Sequence, residues 1–68
     1  MSVFPNPAGN YIEIESDKNG LVSLYNLIGK KLLEKEKVNQ KIRLNIAELS
    51  KGVYFLIMDN QHFKIIKE

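Results

Sequence analysis

The chain has 68 residues, 44% of them apolar and 26% charged, with a net charge of +2. A chain of that length buries only about 60% of the surface its unfolded form exposes, so it holds one domain and one core, and its apolar content is too high for a disordered segment. Cysteine is absent, which excludes disulfides and thiolate metal or redox chemistry, and the interleaved charges of Glu34-Lys35-Glu36-Lys37 are not the concentrated basic face of a nucleic-acid binder.

In Phe4-Pro5-Asn6-Pro7 two prolines fix φ and remove two backbone donors, which predicts an extended, kinked start with no helix. Tyr11 to Ser16 alternates, Ile12 and Ile14 one way and Glu13 and Glu15 the other, the period of a half-buried strand. Asp17-Lys18-Asn19-Gly20 reads as a tight hairpin turn, because Asn-Gly suits positive φ. Leu21 to Asn26 is the next strand, with Val22 and Leu24 inward, and Leu27-Ile28-Gly29-Lys30 reverses the chain. Gly29 is expected where a side chain would clash.

Lys31 to Lys37 is a strand on which Leu32 and Leu33 leave the inward face undecided. Lys41 to Asn45 alternates with Ile42, Leu44 and Ile46 inward. Only Ala47-Glu48-Leu49-Ser50 offers a turn of helix. Gly52 to Asp59 is the most apolar strand, with Tyr54, Leu56 and Met58 facing the core and Val53, Phe55 and Ile57 facing out together, either under other segments of the chain or as an apolar patch for a partner. His62 to Glu68 is the last strand, around Phe63, Ile65 and Ile66. Six to seven short strands with frequent turn signals predict an all-β fold, a small antiparallel Ig-like sandwich. With nothing covalent to staple it, its stability should be modest.

Catalytic chemistry finds little support. Glu13 and Glu15 are paired carboxylates on one strand face, which a glycosidase uses, but alternation makes them a solvated face. Asp17-Lys18-Asn19 echoes the start of a calcium loop and lacks the rest of it. His62 is the single histidine, with no second imidazole or thiolate for a metal, and no serine stands in a nucleophile elbow. The reading is therefore no enzyme, no cofactor, no metal, no small-molecule substrate and no pocket. Leu49, Gly52 and Tyr54 read as fold-building residues, the Tyr54 hydroxyl needing a nearby backbone partner once buried.

No apolar run approaches the roughly 20 residues of a membrane-crossing helix. The first residues, Met1-Ser2-Val3-Phe4-Pro5, lack the charged-then-apolar pattern of a secretory signal. Met1 and Ser2 read as start residues ahead of a domain over 3–68, with any export signal upstream on a parent chain.

Phe4-Pro5-Asn6-Pro7, Leu24-Tyr25-Asn26-Leu27-Ile28-Gly29-Lys30, Ile46-Ala47-Glu48-Leu49-Ser50-Lys51-Gly52-Val53-Tyr54-Phe55 and Phe63-Lys64-Ile65-Ile66-Lys67 follow one another in this order. That series resembles the C-terminal sorting domain of proteins exported by the type IX (Por) secretion system of Bacteroidetes, over nearly the whole chain. Pro5, Asn6 and Pro7 match the family's opening motif, Gly29 its central turn, Gly52 and Tyr54 its late turn and strand, and Lys64 and Lys67 its basic close. The resemblance implies a larger cargo protein that carries an N-terminal signal peptide, passes through the periplasm and ends at the cell surface or outside. It implies as partners the outer-membrane export machinery and a sortase-like peptidase that removes the domain at a junction before Val3. Two departures stand out: the chain closes on Lys67-Glu68 where many members are basic, and Ile57 occupies a position that is commonly polar.

A signal of this kind needs a folded surface to be read. The expected surface is the last strand, with Phe63, Lys64, Ile65 and Lys67, together with Phe55 and Ile57 on the open face. An edge strand there would offer backbone groups for β-augmentation, and an open edge and patch also suit a weak homodimer. The competing readings are an Ig-like or fibronectin-like spacer, and a glycan- or peptide-binding domain using Tyr11, Tyr25 or Phe55.

Overall fold

The computed structural model describes residues 1–68. Where apolar residues alternate with polar ones the chain forms strands, and seven result: β1 (Ser2–Phe4), β2 (Tyr11–Glu15), β3 (Gly20–Tyr25), β4 (Lys31–Lys37), β5 (Lys41–Asn45), β6 (Gly52–Met58) and β7 (Gln61–Lys67). They form a three-stranded sheet in the order β1-β2-β5 and a four-stranded sheet in the order β4-β3-β6-β7. Every strand pair is antiparallel. This is the expected Ig-like sandwich.

The core lies between the sheets. Ile12, Ile14, Ile42, Leu44 and Ile46 come from the smaller sheet and its exit; Val22, Leu24, Tyr54, Leu56, Met58 and Ile65 come from the larger. Tyr54, Leu56 and Met58 face inward, as their spacing predicts.

The Asn19-Gly20 hairpin does not form. β2 and β3 belong to different sheets, and Ser16–Asn19 carries the chain across the core. The crossing is held by Lys37, whose Nζ donates to the carbonyls of Ser16 (2.6 Å) and Lys18 (2.7 Å). This lysine is fully buried. Val38–Gln40 crosses back beside it, where the Ser16 amide donates to the Gln40 carbonyl at 2.9 Å. Ile46–Lys51 makes the third crossing without a helix, turning on a 3.1 Å bond from the Leu49 amide to the Ile46 carbonyl.

Two further details settle what the sequence leaves open. Residues ahead of the prolines form β1, with Ser2 opposite Glu15 and Phe4 opposite Glu13, because proline ends a pairing without forbidding one before it. In β4 a bulge sets Leu33 opposite Leu24 and Lys31 opposite Tyr25, leaving Leu32 as the extra residue. A bulge lets neighbouring residues turn to one side, so Leu32 and Leu33 are both half-buried against the core.

Candidate recognition surface

β7 divides by parity. Ile65, opposite Tyr54, is 1% exposed and belongs to the core. Lys67 is also buried, opposite Gly52, which has no side chain to compete with the lysine stem. Phe63 is half-buried against the core, while Lys64 and Ile66 face out. The expected surface on the last strand is therefore corrected: Ile65 and Lys67 are not available on it, Phe63 is partly so, and Ile66 takes its place beside Lys64. Strand period explains this, since residues alternate faces and only one parity is free.

The outer edge of β7 is not an open ladder either. Asn6 lies along it, its Nδ2 donating to the Lys64 carbonyl (2.9 Å) and its Oδ1 accepting from the Ile66 amide (3.0 Å). Ala8 continues the contact, with its amide donating to the Ile66 carbonyl (2.7 Å) and its carbonyl accepting from the Glu68 amide (2.8 Å). Pro5 and Pro7 flank the clamp, both behind cis peptide bonds. Proline offers no donor of its own, so the Asn6 side chain does what a backbone amide and carbonyl do elsewhere in a ladder. The edge over residues 64–68 is thus occupied, and the part of it expected to accept a partner strand is closed by the chain itself.

The other half of the expected surface fares differently. Phe55 and Ile57 lie on the outer face of the four-stranded sheet, as their parity requires. Cross-strand neighbours on that face are Tyr25, Phe55 and Lys64 in one row and Ser23, Ile57 and His62 in the next. Val53 stands opposite Ile66. Val53, Phe55 and Ile57 are half-buried by their neighbours alone, since no further layer covers the sheet. Leu21 (56% exposed) and Ile66 (40%) extend the apolar surface.

Beside this face, Tyr54 is buried, and its hydroxyl donates to the Ser50 carbonyl at 2.6 Å. This is the tyrosine corner of Ig-like sandwiches, here at the turn into β6. Leu49 packs against the core at the same corner. Gly29 has φ of 84°, which disfavours any side chain, yet a Cβ there would meet no atom within 4 Å. The expected clash is corrected: backbone conformation, and not crowding, calls for glycine at this turn. A Cβ on Gly52 is similarly unopposed.

The remaining candidates form no reactive group. Glu13 faces Arg43 across the smaller sheet, with 3.6 Å between Oε2 and Nη2, and the Arg43 guanidinium lies 4.0 Å from the Tyr11 ring centre. Glu15 faces Lys41. Tyr11 therefore sits on the outer face of one sheet, and Tyr25 with Phe55 on that of the other, so the three do not share a platform. Lys31 donates to Glu34 at 2.8 Å, and this hydrogen bond, reinforced by the carboxylate charge, raises the lysine pKa above its ordinary value. No three acidic or imidazole side chains gather as metal ligands. Two depressions of about 260 and 330 Å³ dent the surface, where none was expected. One lies between the Asn26–Ile28 tip and Lys51–Tyr54, the other between Leu33 and Asn45–Leu49. Neither holds a histidine or a pair of carboxylates.

The family model described as "Secretion system C-terminal sorting domain" matches residues 2–68. No curated protein and no solved structure matches the chain.

Proposed function

The chain belongs to the family of secretion-system C-terminal sorting domains, the type IX export signals, and from that membership we propose that it is read as a folded module through the outer face of its four-stranded sheet. Sorting tails of this family direct proteins to the cell surface or the exterior, and they are in general not catalysts. The observation that carries the proposal is the uncovered apolar row Val53, Phe55 and Ile57 on a central strand, flanked by Lys64 and Ile66. A small protein leaves so continuous an apolar face open where a partner is to cover it. Closure of the β7 edge by Asn6 and Ala8 favours this face over strand addition along residues 64–68.

On this reading the domain over residues 3–68 follows a cargo that carries its own N-terminal signal peptide and has crossed into the periplasm. The outer-membrane machinery engages the sheet face. A sortase-like peptidase then frees the cargo at a junction ahead of Val3.

Fusion of residues 2–68 behind a periplasm-directed reporter in a type IX-competent bacterium tests the proposal. The reporter should reach the surface or medium with the tail removed. F55S/I57S should leave it in the periplasm while the purified domain keeps a cooperative melt. Undiminished export of that double variant would overturn the assignment of the face. Retention of the unaltered fusion would overturn export function altogether.

A further inference from the structure

The two edges of the four-stranded sheet differ. β7 is closed by Asn6 and Ala8, whereas β4, the other outermost strand, pairs with β3 alone. Alternation fixes which backbone groups of β4 are free. The Asn26 amide donates to the Lys30 carbonyl and so points toward β4. Leu24 and Val22, at every second position before it, point the same way, which makes Leu33 and Lys35 their hydrogen-bonded partners. Glu34 and Glu36 then turn their amides and carbonyls away from the sheet. The same alternation turns Lys64 and Ile66 outward on β7, where Asn6 and Ala8 bond them.

Side chains along the β4 edge are sorted by face. Lys35 and Lys37 turn inward, where Lys35 Nζ donates to the Arg43 carbonyl (3.1 Å) and Lys37 Nζ to those of Ser16 and Lys18. Glu34 and Glu36 are exposed on the outer side, opposite Ser23 and Leu21. Glu36 has no ion pair. Glu34 bonds Lys31, but the two side chains are 37% and 46% exposed, and such a pair exchanges at little cost. Beneath the edge, the depression of about 330 Å³ opens between Leu33 and Asn45–Leu49, with Glu48 as its one charged residue. Leu33 faces inward opposite Leu24, so a side chain set beside it on an added strand enters that depression.

We propose that β4 accepts an antiparallel strand from a partner protein, an extended segment with basic residues opposite Glu34 and Glu36 and an aliphatic residue opposite Leu33 that fills the depression. Strand addition draws affinity from backbone bonds and selectivity from pockets for alternate side chains. The bulge at Leu32 ends the regular edge, so the added strand pairs from Leu33 onward. A second copy does not fit. Antiparallel pairing of two 34–36 stretches, outer faces aligned, sets carboxylate against carboxylate, and like charges directly opposite destabilise a strand pair.

The probe is a blocked peptide in which two lysines separated by a threonine are followed by an isoleucine, with threonines at both ends. Titrated into the isotope-labelled chain, it should shift the Glu34 and Glu36 amides, slow their exchange with solvent, and shift the methyl groups of Leu33 and Leu49. The Phe55 and Ile66 amides should not move. A peptide with glutamates for the lysines should bind roughly tenfold more weakly, and so should one with serine for the isoleucine. E34K/E36K, with a melting temperature close to the parent's, should prefer the glutamate peptide. Failure of the lysine peptide to bind, equal binding of the lysine and glutamate peptides, unchanged exchange at Glu34 and Glu36, or an unreversed preference in E34K/E36K would each overturn the proposal. So would self-association of the unmodified chain that slows those two amides, which would make the occupant a second copy. None of these measurements depends on the export reading.

Discussion

Asn6 and Lys64 lie 58 positions apart in the chain and are joined by a 2.9 Å hydrogen bond from the Asn6 side-chain amide to the Lys64 carbonyl. With the return bond from the Ile66 amide to Oδ1, one side chain closes a stretch of β7 that would otherwise be an open template. Edge strands invite pairing with other chains, and native proteins commonly cover them. Here the cover is part of the Pro5-Asn6-Pro7 motif. Asn6→Ala should lose both bonds and about 1–2 kcal/mol of stability. Faster exchange of the Ile66 amide, measured by NMR, should accompany it. Unchanged protection at Ile66 would show that the clamp does not hold this edge.

That relationship was not legible in the sequence, because nothing local marks which distant backbone a side chain meets. What was legible came from period: Ile12 and Ile14, Ile42 and Leu44, and Tyr54, Leu56 and Met58 all face the core as alternation demands. Asn19-Gly20 misled because a turn-forming pair reports backbone preference and says nothing about which sheet the next strand joins. β7 misled in another way. Phe63 and Ile65 share one parity with Lys67, while Ile66 shares the other with Lys64, so neither face looked wholly apolar. Burial of the Lys67 stem opposite Gly52 resolves it. That Val53, Phe55 and Ile57 share the outward face was visible because β6 is apolar on both parities, but whether other segments cover that face was not.

Tyr54→Phe isolates the corner. It keeps the ring in the core and removes only the hydroxyl, which donates to the Ser50 carbonyl and lies 3.3 Å from the Ser50 hydroxyl. A loss of about 1–2 kcal/mol is expected, with the denaturant slope unchanged, since the surface exposed on unfolding is the same. A neutral result would mean that water replaces the hydroxyl at Ser50 without cost.

Lys37→Met sets two effects against each other. It removes a buried cation, which favours stability, and it strips the carbonyls of Ser16 and Lys18 of their donor. Two unsatisfied acceptors cost more than the desolvation regained when the cation already holds bonds of 2.6 and 2.7 Å. Destabilisation by about 1–3 kcal/mol is expected in urea unfolding. A more stable variant would show that the charge itself is the burden at this crossing.

Neighbouring residues of β7 separate the fold from its surface. Ile65→Ala opens a cavity in the core, at a cost of about 2–5 kcal/mol, against a total of roughly 3–5 kcal/mol for a cysteine-free domain of this size. The variant should be largely unfolded at 25 °C by circular dichroism. Lys64→Ala, on the outer face, should stay within about 0.5 kcal/mol of the parent. Removing the whole segment from Lys64 onward would therefore abolish export by unfolding the domain, whatever surface is read. Lys64→Ala, alone or with F55S/I57S, keeps the core intact and tests the surface itself. If Ile65→Ala folds and melts like the parent, Ile65 is not the core residue its burial makes it, and terminal deletions regain their meaning.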